Sequence, residues 1–185
     1  MLTFNFRGCG TSGGDFSIGG WLDDLRAAVD FLDDRSDVAS VWIAGSSLGG
    51  ALAVSLAPED PRVRGVATLA APASLRDWAS NPVRLLAHSR EVGVVKTAGF
   101  PSDEAAWTRE LGLVDPVVAA SKFEARPLLV MQGDADEVVS PDDARALADA
   151  CPTSELRLFH GAGHRLRHDP RAVACLAGWM ARQLP

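Results

Sequence analysis

Residues 38–50 read Val-Ala-Ser-Val-Trp-Ile-Ala-Gly-Ser-Ser-Leu-Gly-Gly. The first part, Val38–Ala44, is a short apolar run rich in β-branched residues, which predicts a buried strand. The following segment, Leu48–Ala57, is small and apolar and stops at Pro58, which predicts a buried helix. The sequence therefore predicts a strand that turns directly into a helix.

The turn between this strand and this helix carries a recognisable pattern, Gly45-Ser46-Ser47-Leu48-Gly49, which matches G-x-S-x-G. In such a turn the serine has strained backbone angles, its hydroxyl stands above the sheet, and side chains two residues away would collide. The first backbone N–H groups of the next helix then point at the reacting centre. The pattern predicts that Ser47 is a nucleophile and that the Leu48 N–H is one oxyanion donor. An idle serine in a tight turn is the alternative.

The rest of the chain alternates predicted strands with predicted helices. This alternation predicts an α/β fold with a parallel sheet of about five strands and helices on both faces. In such sheets ligands bind at the carboxyl ends of the strands, so we expect the catalytic side chains in the loops that follow the strands. The other predicted strands are Leu2–Phe6, Val63–Ala70, Leu128–Gln132 and Leu156–Phe159, and helix starts are predicted at Asn81-Pro82, Asp115-Pro116, Ser140-Pro141 and Asp169-Pro170.

A nucleophilic serine needs a histidine base, and the chain has four histidines. His164 lies in Gly161-Ala162-Gly163-His164, a flexible loop just past the last predicted strand, which is the correct edge of the sheet. His160 lies at the end of that strand, where we expect it to be packed. His164 is therefore the predicted base.

The base needs an acid to orient it, and two carboxylates follow the strand Leu128–Gln132 in Gly133-Asp134-Ala135-Asp136. We expect Asp134 to hold the turn together and Asp136 to reach the histidine. Asp136 is the predicted orienting acid, with Asp134 as the alternative.

Composition excludes several other classes of protein. The net charge is −6 and 47% of the residues are apolar, with no basic cluster for nucleic acid or an anionic membrane. No apolar run approaches the roughly 20 residues of a membrane span. The three cysteines are scattered, which favours the cytoplasm over an oxidising compartment.

Two further patterns suggest different functions. Residues 8–13 match G-x-G-x-x-G after a predicted strand, which suggests a dinucleotide-binding oxidoreductase, but the next helix begins too late to cradle a pyrophosphate. His160, His164 and His168 have the spacing of metal ligands on a helix, but Gly161 and Gly163 break any helix there. We therefore predict no cofactor and no metal.

Taken together, the motifs resemble those of the α/β-hydrolase superfamily, in its small esterase and acyl-peptidase-like branches. The resemblance rests on four pieces in order: Phe4 to Ser12, Gly45 to Gly50, Gly133 to Val139 and Gly161 to His164. Ser47, Asp136 and His164 then follow the Ser…Asp…His order of that superfamily. The chain is also similar to dienelactone hydrolases, which use cysteine where this chain has Ser47.

The resemblance implies a serine hydrolase that cleaves a carboxylic ester, or a related thioester or amide, of a small acyl substrate through an acyl-enzyme. It implies one domain over residues 1–185, with residues 72–114 as a small cap-like insertion. The family normally has three further strands before the first one predicted here, and the loop after the third supplies half of the oxyanion hole. We therefore expect an N-terminally truncated chain, with an impaired or non-catalytic hydrolase-like protein as the alternative function.

Overall fold

The computed structural model describes residues 1–183, which form two compact units. One unit consists of Met1–Ala39 and Ser74–Val114, and the other of Ser40–Ala73 and the chain from Asp115 onward. The strands are β1 Val41–Ser46, β2 Val63–Leu69, β3 Leu128–Gly133 and β4 Ser154–Phe159. The α-helices are α1 Ile18–Asp33, α2 Leu48–Leu56, α3 Arg76–Ser80, α4 Pro82–Glu91, α5 Glu104–Glu110, α6 Pro116–Ala120, α7 Pro141–Ala150 and α8 Pro170–Gln183.

All four strands lie in the second unit and form one parallel sheet in the order β1-β2-β3-β4. In the register of the sheet, Gly45 pairs with Thr68, Thr68 with Val130, and Val130 with Leu156. Since the strands are parallel, the loops that follow them leave from one edge. The α/β class and the parallel sheet are confirmed.

Helices cover both faces of this sheet. Helix α2 packs on β1 and β2, and α7 packs on β3 and β4. Helix α8 contributes Ala172 and Trp179 to a buried cluster with Leu129 and Met131 of β3. Every residue of β3 is buried, as expected of a central strand with a layer on each face.

The helix starts follow from their capping residues. Asn81, Asp115 and Ser140 each precede a proline, and the side chain of each accepts a hydrogen bond from a backbone N–H of the first turn, at 3.1–3.2 Å. These contacts satisfy N–H groups that have no partner within the helix. The helix starts predicted at these three residues are confirmed.

The first unit is held together by aromatic rings around α1. Trp21 of α1 stacks on Phe6 with ring centroids 4.8 Å apart, and Phe16 meets Trp21 edge-on at 4.7 Å. Trp107 of α5 contacts the Phe16 ring and donates its indole N–H to the Phe16 carbonyl at 2.8 Å. This unit therefore has an aromatic cluster of its own.

The predicted strand Leu2–Phe6 is wrong, and the sheet of the described residues has four strands rather than about five. Residues 1–5 are exposed, and Phe4 and Phe6 pack on each other with ring centroids 4.8 Å apart. Alternation of apolar and polar residues indicates an apolar face that must pack against another element. Here that element is helix α1, whose Trp21 ring stacks on Phe6. The division into one domain with a cap at residues 72–114 stays a prediction.

No helix within residues 1–183 combines the length and the apolar character needed to cross a lipid bilayer.

The junction between β1 and α2 is crowded because a single residue, Ser47, separates the two elements. A Cβ atom at Gly45 would collide with the carbonyl of Gly49. A Cβ atom at Gly50 would lie 2.8 Å from the Gly45 carbonyl oxygen and 2.9 Å from Cβ of Ala71. Both glycines are therefore required by the close approach of two backbones.

Gly50→Ala is expected to lower the free energy of unfolding by about 1–3 kcal/mol, because neither the Gly45 carbonyl nor Cβ of Ala71 can move aside cheaply. Gly178→Ala is the matched control, since a Cβ there, on the exposed face of α8, meets nothing within 4 Å. The control is expected to stabilise the protein by up to about 1 kcal/mol. Urea denaturation of both variants checks this, and equal stability of the two would contradict it.

Candidate active site

The backbone of Ser47 adopts a conformation that residues other than glycine rarely adopt, with φ 52° and ψ −129°. Hydrogen bonds on both sides hold it there. The Ser47 N–H donates to the Leu69 carbonyl of β2 at 2.8 Å, and the Ser47 carbonyl accepts from Gly50 N–H at 2.9 Å. The strain predicted for the G-x-S-x-G turn is thus present, and the surrounding hydrogen bonds maintain it.

Helix α2 begins at Leu48, directly after Ser47. The first N–H groups of a helix, including that of Leu48, have no partner in the helix ladder, and the N-terminal end carries a partial positive charge. The Ser47 side chain is therefore attached at an end suited to stabilise a developing negative charge.

The three residues singled out as nucleophile, base and acid lie in one chain of hydrogen bonds within the second unit. His164 Nε2 lies 3.1 Å from Ser47 Oγ, and His164 Nδ1 lies 3.0 Å from Asp136 Oδ2. The Asp136 side chain is fully buried, whereas 23% of the His164 side chain is exposed. Burial thus increases from the imidazole to the carboxylate.

Asp136 is held by more than His164. Its Oδ1 atom accepts from the backbone N–H groups of Val138, at 2.8 Å, and Val139, at 3.0 Å. Its Oδ2 atom accepts from the Gln132 side-chain amide at 2.8 Å as well as from His164. Burial alone would raise the pKa of Asp136, but these hydrogen bonds outweigh it and hold the pKa below its usual range.

Close contact between two loops brings the acid to the histidine. Ala135, in the turn after β3, donates its N–H to the carbonyl of Ala162, in the loop after β4, at 3.0 Å. A Cβ atom at Gly133 would collide with that same carbonyl. Glycine at residue 133 therefore allows the two loops to meet.

Asp134 takes part in a different contact. It accepts a hydrogen bond from the Gly161 N–H at 2.7 Å and lies 2.8 Å from Nδ1 of His160. The hydrogen bond with His160 is the main reason that the pKa of Asp134 is lowered. Asp134 thus ties the turn after β3 to the histidine loop, while Asp136 faces His164.

The expectation that His160 is packed at the strand end is wrong, because 99% of its side chain is exposed. The last residue of β4 is Phe159, and the next side chain projects outward toward the exposed carboxylate of Asp134. A polar partner at the surface has taken the place of the expected packing.

Sequence reasoning overlooked Gln132. This residue is fully buried at the end of β3, and its amide donates to Asp136 and, at 3.1 Å, to the Val139 carbonyl. The available signal was a polar side chain that ends an otherwise apolar strand, since a polar group buried there needs a partner.

Residues 1–183 contain no group of three or more His, Cys, Asp and Glu side chains arranged to hold a metal ion. The glycine-rich segment Gly8–Gly13 follows no strand in this part of the chain, and α1 begins only at Ile18. It therefore lacks the strand–turn–helix context that dinucleotide binding requires.

Comparison with known families gives a direct assignment. The family described as "Serine aminopeptidase, S33" matches residues 1–109, more than half of the chain. The chain belongs to this family. The assignment agrees with the α/β-hydrolase resemblance of the four sequence motifs.

Curated relatives match most of the chain. The uncharacterized protein Rv2307c of Mycobacterium tuberculosis (strain H37Rv) is 32% identical over an alignment of 178 residues, which covers 94% of this chain and 54% of the relative. The chain thus spans about half the length of the curated relatives that it matches.

Two solved structures are similar in fold. The structure of ferulic acid bound to Est1E of Butyrivibrio proteoclasticus has a TM-score of 0.73 and 20% identity, over 97% of this chain and 75% of that one. The esterase domain of a Rhodothermus marinus protein has a TM-score of 0.63 and 26% identity, over 87% of this chain and 68% of that one. The fold of this hydrolase family member is that of α/β-hydrolases.

The lowered pKa of Asp136 makes a prediction for stability. The unfolded carboxyl has a pKa of about 3.9, so the ionised group stabilises the folded state above that pH. This contribution is lost as the pH falls through the lower folded pKa. Wild type is therefore expected to exceed Asp136→Asn in free energy of unfolding most strongly above about pH 4. Urea denaturation between about pH 3 and 7 measures the difference in free energy of unfolding between the two proteins. A difference that grows as the pH falls would contradict a lowered pKa of Asp136.

Proposed function

We propose that this protein is a serine hydrolase that cleaves carboxylic esters, or related acyl bonds, through a covalent acyl-enzyme. Ser47 is the nucleophile, His164 the general base and Asp136 the acid that orients it. The observation that carries the proposal is the hydrogen-bond chain from Ser47 Oγ through the His164 ring to Asp136, with both distances at 3.0–3.1 Å.

In the first half-reaction Ser47 Oγ attacks the carbonyl carbon of the substrate, and His164 Nε2 takes the hydroxyl proton. The carbonyl oxygen then carries a negative charge, which the Leu48 N–H at the start of α2 stabilises. When the tetrahedral intermediate collapses, His164 gives its proton to the leaving alcohol. Water then attacks the acyl group on Ser47 by the same route in the second half-reaction.

Asp136 contributes by staying ionised. His164 becomes positively charged in each half-reaction, and a carboxylate at Nδ1 stabilises that charge and fixes the tautomer with the proton on Nδ1. The lowered pKa of Asp136 supports this role, because the group carries its charge at neutral pH.

Two comparisons bear on the class of substrate. An esterase domain 26% identical to this chain shares its fold, which supports ester hydrolysis over amide hydrolysis. The family description, by contrast, names an aminopeptidase. We propose a small, uncharged acyl substrate.

We also propose a cytoplasmic location, because the three cysteines, Cys9, Cys151 and Cys175, are free.

A non-catalytic member of the family is the second candidate function. The reason is that the Leu48 N–H is the one oxyanion donor assigned in this chain. Loss of one of the donors of an oxyanion hole typically lowers kcat by about 10²–10³-fold. Turnover of an activated ester decides between the two candidates, because a non-catalytic protein gives no Ser47-dependent rate.

Ser47→Ala is expected to lower the hydrolysis of p-nitrophenyl acetate by at least about a thousandfold, because it removes the attacking oxygen. Ser46→Ala is the matched control: its hydroxyl is buried and makes no hydrogen bond within the described residues, and it is expected to stay within about threefold of wild type. Circular dichroism of both variants verifies that they fold.

Equal rates for wild type and Ser47→Ala would refute the nucleophile and favour the non-catalytic candidate. A loss in Ser46→Ala as large as that in Ser47→Ala would instead assign the effect to the turn rather than to the hydroxyl.

A further inference from the structure

Gln132 occupies an unusual position for an uncharged polar side chain. It lies in β3, the strand buried throughout its length, and no part of it reaches solvent. Its Oε1 atom is buried and has no hydrogen-bond partner within residues 1–183. A buried acceptor without a partner is costly, so the gain from this residue must come from its amide N–H groups.

Those N–H groups have two well-placed acceptors. Nε2 lies 2.8 Å from Oδ2 of Asp136 and 3.1 Å from the carbonyl oxygen of Val139. The orientation of the amide follows from these neighbours. If its nitrogen and oxygen were exchanged, Oε1 would face two other acceptors, Oδ2 of Asp136 and the Val139 carbonyl oxygen. Val139 also donates its N–H to Oδ1 of Asp136 at 3.0 Å, so the amide fixes the carboxylate and its turn together.

The two oxygens of Asp136 have separate partners. Oδ1 is held by the Val138 and Val139 backbone N–H groups, whereas Oδ2 is shared between the Gln132 amide and His164 Nδ1. Without Gln132 the carboxylate therefore keeps its place, but the oxygen that faces His164 loses the only other donor that the described residues give it.

We propose that Gln132 is a positioning residue, whose amide fixes Oδ2 of Asp136 and so sets the pH range over which His164 acts as a base. This inference rests on the proposed function, since only in a hydrolase does the charge state of the pair control a rate. A hydrogen-bond donor beside a carboxylate disfavours protonation, and its partial positive charge also disfavours a charged imidazole close by. Removing it therefore shifts the titration of the Asp136–His164 pair to higher pH.

Charged groups on the elements that pack around β3 have partners of their own. In the turn after β3, Asp134 binds His160 and Gly161. From α8, Arg171 pairs with Asp169 and donates to the His160 carbonyl, and at the start of α7 Asp143 accepts from the Ala73 N–H. Among the hydrogen-bond partners that the described residues give the Asp136 carboxylate, His164 is the one with a titratable side chain.

The test is Gln132→Met, which keeps the length of the side chain and removes both donors. The imidazole resonances of His164 are followed by NMR from about pH 4 to 9, a readout that needs no turnover. We expect the midpoint of the pair to rise by about 0.5–1 pH unit. The acid limb for p-nitrophenyl acetate hydrolysis should move equally, so that the rate falls about threefold to tenfold on that limb and little on the plateau.

Two controls separate this role from a structural one. Thr68→Val removes another fully buried polar group, from β2, whose hydroxyl donates weakly to Leu129 at 3.5 Å, and should leave the midpoint unchanged. In an Asp136→Asn background, Gln132→Met should cause no further shift, because Gln132 acts through that carboxylate. If Gln132→Met does not fold, Gln132→Asn withdraws the amide by one methylene, with the same expected direction.

A His164 midpoint that is unchanged or lower in Gln132→Met would overturn the inference, as would a shift of equal size in Thr68→Val. The NMR result is separate from the fate of the proposed function. Absence of Ser47-dependent hydrolysis refutes the hydrolase, whereas the midpoint alone decides whether Gln132 controls the pair.

Discussion

The structure depends on the abrupt turn at Ser47, where β1 becomes α2 with one residue between them. The turn forces a positive φ on a serine, and it requires Gly45 and Gly50 because the two backbones lie too close for side chains. Strain of this kind persists only where neighbouring structure enforces it. Here the Leu69 carbonyl of β2 anchors the Ser47 N–H, so the neighbouring strand maintains the conformation.

The same parallel arrangement brings the other two side chains to Ser47. Asp136 follows β3 and His164 follows β4, and the loops of parallel strands leave from one edge. Their approach is close because Gly133 lets the histidine loop pass over the acid turn. Asp134, which the sequence offers as a rival acid, binds that loop instead, so the two carboxylates divide support and orientation between them.

Signals that act within a few residues predicted the structure well, whereas the alternation at the N-terminus, which depends on a distant partner, did not. The G-x-S-x-G turn and the caps at Asp115 and Ser140 act within a few residues, so their spacing was enough to predict them. The alternation of apolar and polar residues in Leu2–Phe6 indicates an apolar face but not what packs on it. In the structure Phe6 packs on Trp21 of a helix, not on a neighbouring strand. The start of β4 at Ser154 was missed because its first residues are polar.

Gln132 could not have been assigned from the sequence for the same reason. A glutamine at the end of an apolar strand indicates a buried polar group, but only the folded turn reveals that Asp136 and Val139 are its acceptors. The site of this hydrolase family member therefore extends beyond the three residues that the motifs indicate.

The proposed function requires that Ser47 attacks an acyl or phosphonyl centre with help from His164. A fluorophosphonate probe followed by peptide mass spectrometry tests this most directly, because the probe forms a bond only with an activated serine. One adduct is expected, on the peptide that contains Ser47, and it should be lost in His164→Ala. An unlabelled protein, or equal labelling with and without His164, would contradict it.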